Sequence, residues 1–180
     1  MSILRLAIAL ALLPALADAG VIKKQLGQMM LGSTSVTITQ DYLDYYDKGP
    51  TGPNTSGGYH PGIDYRAARS TPLYAPLDGV VVSAGGSYGT LVIKKDGSDT
   101  NIIVMHMSEF AVKAGDKVQT GCRIGKSGNV GTTDPHLHVE ARVGKTTGAW
   151  YFTTKTDTGS NKSPELIPPS YVMKPAFACK

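Results

Sequence analysis

Short apolar runs separated by turn signals fill the middle of the chain, and this pattern most constrains the fold. Between residues 62 and 143 the segments VVVSAGG, GTLVIKKDG and NIIVMHM are rich in β-branched residues, which strands favour. The Asp-Gly pair in KKDGSD is typical of a hairpin turn, whereas AVKAGDKVQTG and IGKSGNVGTTDP are turn-rich connectors. Because no stretch from 60 to 143 has the length and period of a long helix, we predict a mostly β, compact antiparallel domain.

The first residues, MSILRLAIALALLPALADAG, have the features of a secretory signal peptide. Arg5 precedes an apolar run from Leu6 to Ala17, and the letters ADA fit a small-x-small cleavage site. A membrane anchor is the alternative, but this run, interrupted by Pro14, is shorter than the roughly 20 residues that a spanning helix requires. We therefore predict export to the periplasm or extracellular space after cleavage near Ala19, with no stable membrane span.

Composition divides the remaining chain into three parts. Residues 20–56 form an N-terminal segment in which VIKKQLGQMML predicts a short amphipathic helix, SVTITQDY a strand and DKGPTGPNTSGGYH an exposed loop. Residues 57–145 form the main domain, and the polar, proline-rich residues 146–180 predict a tail packed on it. A chain of 180 residues can bury one sizeable core, so we expect a single domain and a monomer.

Charge and cysteine content narrow the class of protein. The formal net charge of +4 is scattered and includes no dense Lys/Arg run, so we expect no nucleic-acid partner. The two cysteines, Cys122 and Cys179, are too few and too far apart for a cysteine zinc site. Since disulfides persist outside the cytoplasm, we predict a Cys122–Cys179 bond, which would stabilise the fold by about 4 kcal/mol.

Two of the four histidines stand two positions apart in TTDPHLHVEAR. Alternation along a strand would place His136, His138 and Glu140 on one face, with the apolar residues between them on the other. Glu140 has two possible roles at this point: a cross-strand charge partner, or an outer group that orients a metal ligand.

The other two histidines become informative only together with this pair. His60 is followed four residues later by Asp64, and His106 closes the strand NIIVMH, in which Ile102, Val104 and His106 are expected to share a face. Alone, each histidine is more often a surface or hydrogen-bonded residue, and Asp64 is most simply a turn residue. A catalytic zinc, however, takes three protein ligands from such residue types, and two remaining imidazoles could transfer protons.

Three longer segments carry a family resemblance: GGYHPGIDYRAARSTPLYAPLDGVVVSAG, YGTLVIKKDG and VMHMSEFAVKAGDKVQTGCRIGKSGNVGTTDPHLHVEARV. From about Gly57 to Val143, roughly half the chain, they closely resemble the lysostaphin-type zinc metallopeptidases that cut peptide bonds in bacterial peptidoglycan. The resemblance implies a sandwich-like antiparallel β fold with long loops around a groove. It also implies an exported endopeptidase that acts on a stem peptide or cross-bridge.

The resemblance assigns roles to individual residues. It implies zinc ligands at His60, Asp64 and His138, a general base at His136, and at His106 a group that stabilises or protonates the transition state. Two alternatives remain: a non-catalytic module that binds wall or regulates an amidase, and a wall-opening component of a virion or secretion apparatus. Residues 20–55 could also hold the site latent, with Asn54 or Asp47 in the open zinc position.

One departure from the family and one unassigned role remain. The family commonly has a glycine before the proline that leads into the histidine pair, whereas this chain has Asp134 there, at the expected rim of the groove. Asp134 is therefore a candidate specificity residue. The family often has a loop tyrosine that assists the oxyanion, and the sequence does not assign this role to Tyr59 or to Tyr65.

Overall fold

The computed structural model describes residues 19–46, 58–145, 161–162 and 177–178. In these ranges the elements, in chain order, are α1 (Ala19–Leu31), β1 (Ile38–Gln40), β2 (Tyr45–Tyr46), β3 (Gly58–Tyr59), β4 (Ile63–Arg66), β5 (Pro72–Tyr74), β6 (Gly79–Gly85), β7 (Thr90–Lys95), β8 (Thr100–Met105), β9 (Glu109–Phe110), β10 (Lys117–Val118), β11 (Cys122–Lys126), β12 (His136–Val143), β13 (Asn161–Lys162) and β14 (Phe177–Ala178).

A large antiparallel sheet contains most of the strands. Its order is β1-β4-β12-β8-β7-β6-β10, and β13 pairs with β12. The strands predicted from VVVSAGG, GTLVIKKDG and NIIVMHM are β6, β7 and β8, and Gly97 in the turn between β7 and β8 has the positive φ of 66° that an Asp-Gly hairpin uses. The prediction of a mostly antiparallel β fold is confirmed.

A smaller sheet packs against the same core. Its order is β14-β11-β5, with β9 beside β11, and a two-stranded sheet joins β2 and β3. Leu73 of β5 and Ile124 of β11 lie in one hydrophobic cluster with Val104 of β8 and with Leu137 and Val139 of β12. Side chains from both sheets therefore enclose one core, which gives the sandwich-like arrangement that the resemblance implies.

Strand β11 (Cys122–Lys126) extends into the predicted connector IGKSGNVGTTDP, and strand β10 (Lys117–Val118) lies inside the predicted connector AVKAGDKVQTG. The connector predictions are therefore wrong for residues 124–126 and 117–118. The segment CRIGK has two cations and a glycine, and its apolar alternation is too short to indicate a strand. Partners on both sides make it a strand, since it pairs with β5, β9 and β14. Tertiary pairing here overrides a weak local signal.

The N-terminal segment follows its prediction in part. The helix expected from VIKKQLGQMML is α1, whose Leu26 and Met30 are buried in the core, and SVTITQDY contains the three-residue strand β1. The signal peptide, the loop around residues 47–57 and most of the tail lie outside the described residues, as do Asn54 and Asp47. Within the described ranges, no helix has the length and hydropathy needed to cross a bilayer. The domain boundaries remain a prediction.

Candidate active site

The register of two neighbouring strands gathers the three expected metal ligands. Strand β12 pairs with β4 so that His138 lies opposite Asp64, and His60 stands just before β4. The His138 Nδ1 atom is 2.7 Å from Asp64 Oδ1, and His60 Nε2 is 3.1 Å from His138 Nδ1 and 3.4 Å from Asp64 Oδ1. One ligand atom from each residue lies within 4.8 Å of the others, as a shared metal ion requires.

The second nitrogen of each ligand imidazole is held by an oxygen. His60 Nδ1 donates to the Asp41 carbonyl at 3.0 Å, because a carbonyl can only accept, and this leaves the His60 Nε2 lone pair directed at Asp64 and His138. His138 Nε2 is 3.2 Å from Glu140 Oε1. The two histidines therefore present different ring nitrogens, Nε2 and Nδ1, to the same point.

The sequence left Glu140 two possible roles, as a cross-strand charge partner or as a group that orients a metal ligand. Its contacts favour the second role. Its side chain is fully buried, and the residue directly across from it on β8 is the apolar Ile103. Its carboxylate contacts the ring of His138 on the side away from Asp64. Such an arrangement fixes the tautomer and orientation of a metal-binding imidazole.

The electrostatics of this group favour a cation between two carboxylates. Burial alone would raise the pKa of Asp64, but the hydrogen bond from His138, together with the nearby His60 ring, lowers it well below its ordinary value. Burial alone would lower the pKa of His138, but Asp64 and Glu140 raise it to about 10. In the metal-free protein an imidazolium therefore supplies the positive charge that both carboxylates need.

The donor set fits zinc. Two imidazole nitrogens and one carboxylate oxygen are typical ligands of a catalytic zinc site, which keeps one position open. Tetrahedral zinc with bonds of about 2.0–2.1 Å separates its ligand atoms by about 3.3 Å. Two of the observed separations, 3.1 and 3.4 Å, lie close to that value, and the third, 2.7 Å between His138 Nδ1 and Asp64 Oδ1, is that of a hydrogen bond. His60, Asp64 and His138 are thus the residues that would hold the ion.

His106 and His136 form a second pair beside the three ligands. Their ring centroids are 4.7 Å apart, and the His106 ring is 5.9 Å from that of His138. The expectation that His106 shares a face with Ile102 and Val104 is wrong: those two residues lie in the core with the opposite face of β12. Strand β8 ends at Met105, and His106 adopts a φ of 65°, which turns its ring to the histidine face.

Backbone carbonyls select the tautomer of both histidines in this pair. His106 Nδ1 donates to the Val130 carbonyl and His136 Nδ1 to the Asp134 carbonyl, each at 2.8 Å. In each neutral ring Nε2 is then the basic nitrogen, and that of His136 lies 3.6 Å from Asp64 Oδ1. Burial, above all, lowers the pKa of His106 to about 4, so its ring is neutral near pH 7.

Sequence reasoning missed the groups that orient the imidazoles. Asp41, Val130 and Asp134 act here through main-chain carbonyls, which every residue type has, so no sequence pattern identifies them. Asp134 itself is exposed, as a residue on the rim of a groove would be.

The two tyrosines near the histidines differ in accessibility. Tyr65 is fully buried and donates its hydroxyl to the Lys23 carbonyl at 2.7 Å, so it is not available to a substrate. Tyr59 is half-buried, with its ring centroid 5.2 Å from that of Tyr45.

Comparisons with known proteins find related endopeptidases. The chain is 37% identical over 112 residues to the glycyl-glycine endopeptidase ALE-1 of Staphylococcus capitis, covering 59% of this chain and 31% of that protein. It is 42% identical over 87 residues to the peptidoglycan DD-endopeptidase ShyA of Vibrio cholerae, covering 47% and 20%. The chain therefore matches less than a third of the length of these two relatives.

A solved structure supports the fold, and a family profile covers the site. The catalytic domain of the prophage-encoded M23 protein EnpA from Enterococcus faecalis is 30% identical, with a TM-score of 0.53, covering 69% of this chain and 94% of that one. Residues 58–149 match the profile of Peptidase family M23, and they include all five candidate site residues. This match spans just over half of the 180 residues, and the chain therefore belongs to Peptidase family M23.

Proposed function

We propose that this chain is an exported, zinc-dependent endopeptidase that hydrolyses peptide bonds in the stem peptides or cross-bridges of bacterial peptidoglycan. One observation carries the proposal: His60, Asp64 and His138 converge on one point, and the His106–His136 pair lies beside them. The relatives ALE-1 and ShyA, both named as endopeptidases, support this reaction class.

The roles of the residues follow from their hydrogen bonds. When bound, zinc would polarise a peptide carbonyl and activate water for attack. His60 Nε2, His138 Nδ1 and Asp64 Oδ1 would hold the ion, while Glu140 would keep the His138 ring in place. One carboxylate and two neutral imidazoles as direct ligands would leave the bound ion with a single net positive charge, which suits a developing oxyanion, and the Glu140 carboxylate beside His138 would offset part of it.

The pair His106 and His136 would transfer protons during the reaction. His136 has its Nδ1 fixed as a donor to Asp134, so its Nε2 accepts a proton from the attacking water. The proton is then delivered to the departing amine as the tetrahedral species collapses. His106, whose ring centroid lies 4.7 Å from that of His136, would assist by stabilising or protonating the transition state, a role that its Nε2 can fill only when that nitrogen carries a proton.

Two further parts of the proposal concern location and covalent structure. Export follows from the signal-peptide pattern before Gly20. A Cys122–Cys179 bond is supported by the parallel pairing of β14 with β11, in which Phe177 lies opposite Cys122, two residues before Cys179. Cys179 itself lies outside the described residues.

The proposal is tested by digesting purified peptidoglycan of several cross-link types and identifying released fragments by mass spectrometry. A diglycine bridge and a direct D-alanyl cross-link are the first two substrates, because the named relatives suggest both. We expect fragments from untreated protein, none after chelation, and recovery when zinc is added back. A Lys24→Met variant, altered at an exposed helix position, serves as the unaffected control.

Two results would overturn the proposal. Protein that binds sacculi but releases no fragment from any cross-link type would be a wall-binding module instead. Equal release with and without the chelator would show that the reaction does not need the metal.

The chemical ends of the released fragments identify the bond that is cleaved. An Asp134→Gly variant then tests whether this residue on the rim of the groove changes the preference among cross-link types.

A further inference from the structure

We propose that α1 and the turn at residues 41–44, which we call the N-terminal brace, position the metal ligand His60. Both elements precede residues 58–149, the part that matches the family. The inference deepens the proposed function and rests on the metal site proposed there. It makes Lys23 and Asp41 positioning residues for zinc binding.

The turn contacts His60 through three hydrogen bonds. The Asp41 carbonyl accepts from His60 Nδ1 at 3.0 Å, which fixes Nε2 as the ligand atom. The backbone of His60 exchanges two more bonds with the turn: Leu43 N donates to the His60 carbonyl and His60 N to the Asp44 carbonyl, each at 2.9 Å. Both the ring and the main chain of this ligand are therefore held by residues outside the family-matched region.

Carboxylates within the turn keep its carbonyl aimed at the ring. Asp44 Oδ2 accepts from Asp41 N, and Asp41 Oδ1 accepts from Tyr42 N, each at 2.7 Å. Leu43 has a φ of 65°, a left-handed conformation that is unfavourable for a residue with a branched side chain. Such a conformation persists only where surrounding contacts impose it, and in this turn they are the bonds to His60.

Helix α1 connects this turn to the second metal ligand. Lys23 Nζ is 2.9 Å from Asp41 Oδ2, and the side chains of Lys23 and Asp41 are 16% and 34% exposed. The Lys23 carbonyl accepts the hydroxyl of the fully buried Tyr65, which directly follows Asp64 on β4. Gly27 lets the helix approach this ring, because a Cβ there would lie 2.5 Å from Tyr65 Cδ1. Helix α1 thus contacts Asp41, which is hydrogen-bonded to the ligand His60, and Tyr65, which follows the ligand Asp64 in the chain.

Strand β1 completes the connection. It pairs with β4 so that Gln40 lies opposite Asp64, and Asp41 follows immediately. Loosening the brace should therefore misplace His60 relative to Asp64. The expected effect is weaker zinc binding rather than an altered reaction in the zinc-loaded enzyme.

The test measures the zinc affinity of the full chain by competition with a chromophoric chelator. Lys23→Met and Asp41→Asn each remove the ion pair while keeping side-chain volume. We expect each to weaken zinc binding by about tenfold, the lower end of the 10–100-fold typical for outer-shell groups. Lys23→Arg should restore it. Lys24→Met removes the same charge from an exposed neighbouring position and should bind zinc like the wild type.

Two further measurements separate positioning from general loss of stability. Val118→Ala, a buried position on β10 at the opposite end of the large sheet, should lower the unfolding temperature without weakening zinc binding. Nitrogen NMR of the metal-free protein should show His60 protonated at Nδ1 in the wild type and a mixture of tautomers in Lys23→Met.

The outcomes distinguish this inference from the proposed function. If the wild type binds zinc and both brace variants bind it equally well, the brace does not position His60, and the proposed function stands. If the wild type itself binds no zinc, the proposed function fails and the inference fails with it. The inference would also be overturned if Lys24→Met weakened zinc binding as much as Lys23→Met does. The loss of one positive charge from the protein would then explain both results.

Discussion

The two halves of the site are built in different ways. His60, Asp64 and His138 lie against paired strands, with side chains that are 2%, 13% and 7% exposed. The rings of His106 and His136 are held from loops instead, by the carbonyls of Val130 and Asp134, although His136 is itself the first residue of β12. The His136 side chain is 17% exposed.

This difference separates the residues proposed to bind the metal from those proposed to transfer protons. The register that pairs β4 with β12 sets the ligand half, and a strand cannot shift by one residue without moving its apolar face out of the core. The loops that hold the rings of His106 and His136 can adjust without disturbing the sheet. Substitutions in the ligand half should therefore change zinc affinity and stability, whereas those in the histidine pair should change only the rate of the reaction.

The largest expected effect comes from His138→Ala. This variant should hold no zinc and lose more activity than the roughly 10²–10⁴-fold that one proton-transfer group contributes. In the metal-free protein it also leaves Asp64 and Glu140 without the imidazolium between them, so the free energy of unfolding should fall by about 3–5 kcal/mol. Elemental analysis and urea unfolding measure the two effects. One zinc per chain in this variant would contradict the ligand assignment.

The next effect, from His136→Ala, should be confined to the reaction. We expect zinc content near that of the wild type, a little-changed KM, and a kcat lower by about 10²–10⁴-fold. Steady-state kinetics on a soluble cross-linked peptide, with zinc analysis of the same sample, checks this. Loss of zinc in proportion to activity would show that His136 is itself a ligand.

His106→Asn is the matched variant for the other member of the pair. Asparagine tolerates the positive φ at this position, so the turn after β8 should remain and only the imidazole is lost. A lower kcat with full zinc content would support the assignment, whereas unchanged kinetics would remove His106 from the reaction.

Regular alternation made much of the fold predictable from the sequence. The β-branched runs of β6, β7 and β8 predicted their strands, and alternation correctly separated His136, His138 and Glu140 from the core residues of β12. Alternation failed at His106, because it applies only while the chain stays extended and this residue lies one position beyond β8. The family resemblance, rather than any local pattern, led to the complete candidate set.

Contacts made by main-chain atoms could not be predicted from the sequence. The carbonyl of Asp41 reaches His60 across 19 positions only because β1 pairs with β4 and α1 packs on Tyr65. No residue type encodes such a bond. The sequence did place Glu140 on the correct face, but its contact with His138 could be chosen over a cross-strand pair only once the register with Ile103 was known.

A smaller effect is expected from Glu140→Gln, which tests how firmly the ligand half is supported. The amide keeps the size of the side chain but loses the negative charge beside His138 Nε2. Zinc affinity should fall by about 10–100-fold, while kcat at saturating zinc changes little. Chelator competition measures the first and peptide hydrolysis in excess zinc the second.

The control for this variant is Glu109→Gln, which changes an exposed carboxylate beside Arg123 and Lys126. Its zinc affinity should match that of the wild type, because an exposed ion pair contributes little even to the fold. Equal affinities for all three proteins would mean that the buried carboxylate of Glu140 does not orient the ligand.

The smallest expected effect comes from Gly27→Ala, where two physical contributions oppose each other. In a helix interior this change ordinarily stabilises a protein by about 0.5–1 kcal/mol. Here the added Cβ meets the ring of Tyr65, which is fully buried and cannot move aside, so we expect a net loss of about 1–3 kcal/mol. Because Tyr65 adjoins Asp64, zinc affinity should fall as well, while the histidine pair keeps kcat at saturating zinc unchanged.

Urea unfolding of the metal-free protein measures the sign of this effect. Gln25→Ala, at an exposed position of α1, provides the comparison, since such a surface change should stay within about ±0.5 kcal/mol. A gain in stability from Gly27→Ala would mean that α1 can move away from Tyr65. A loss of kcat at full zinc occupancy would mean that disturbance of the ligand half reaches His106 and His136, and the two halves of the site would then not be independent.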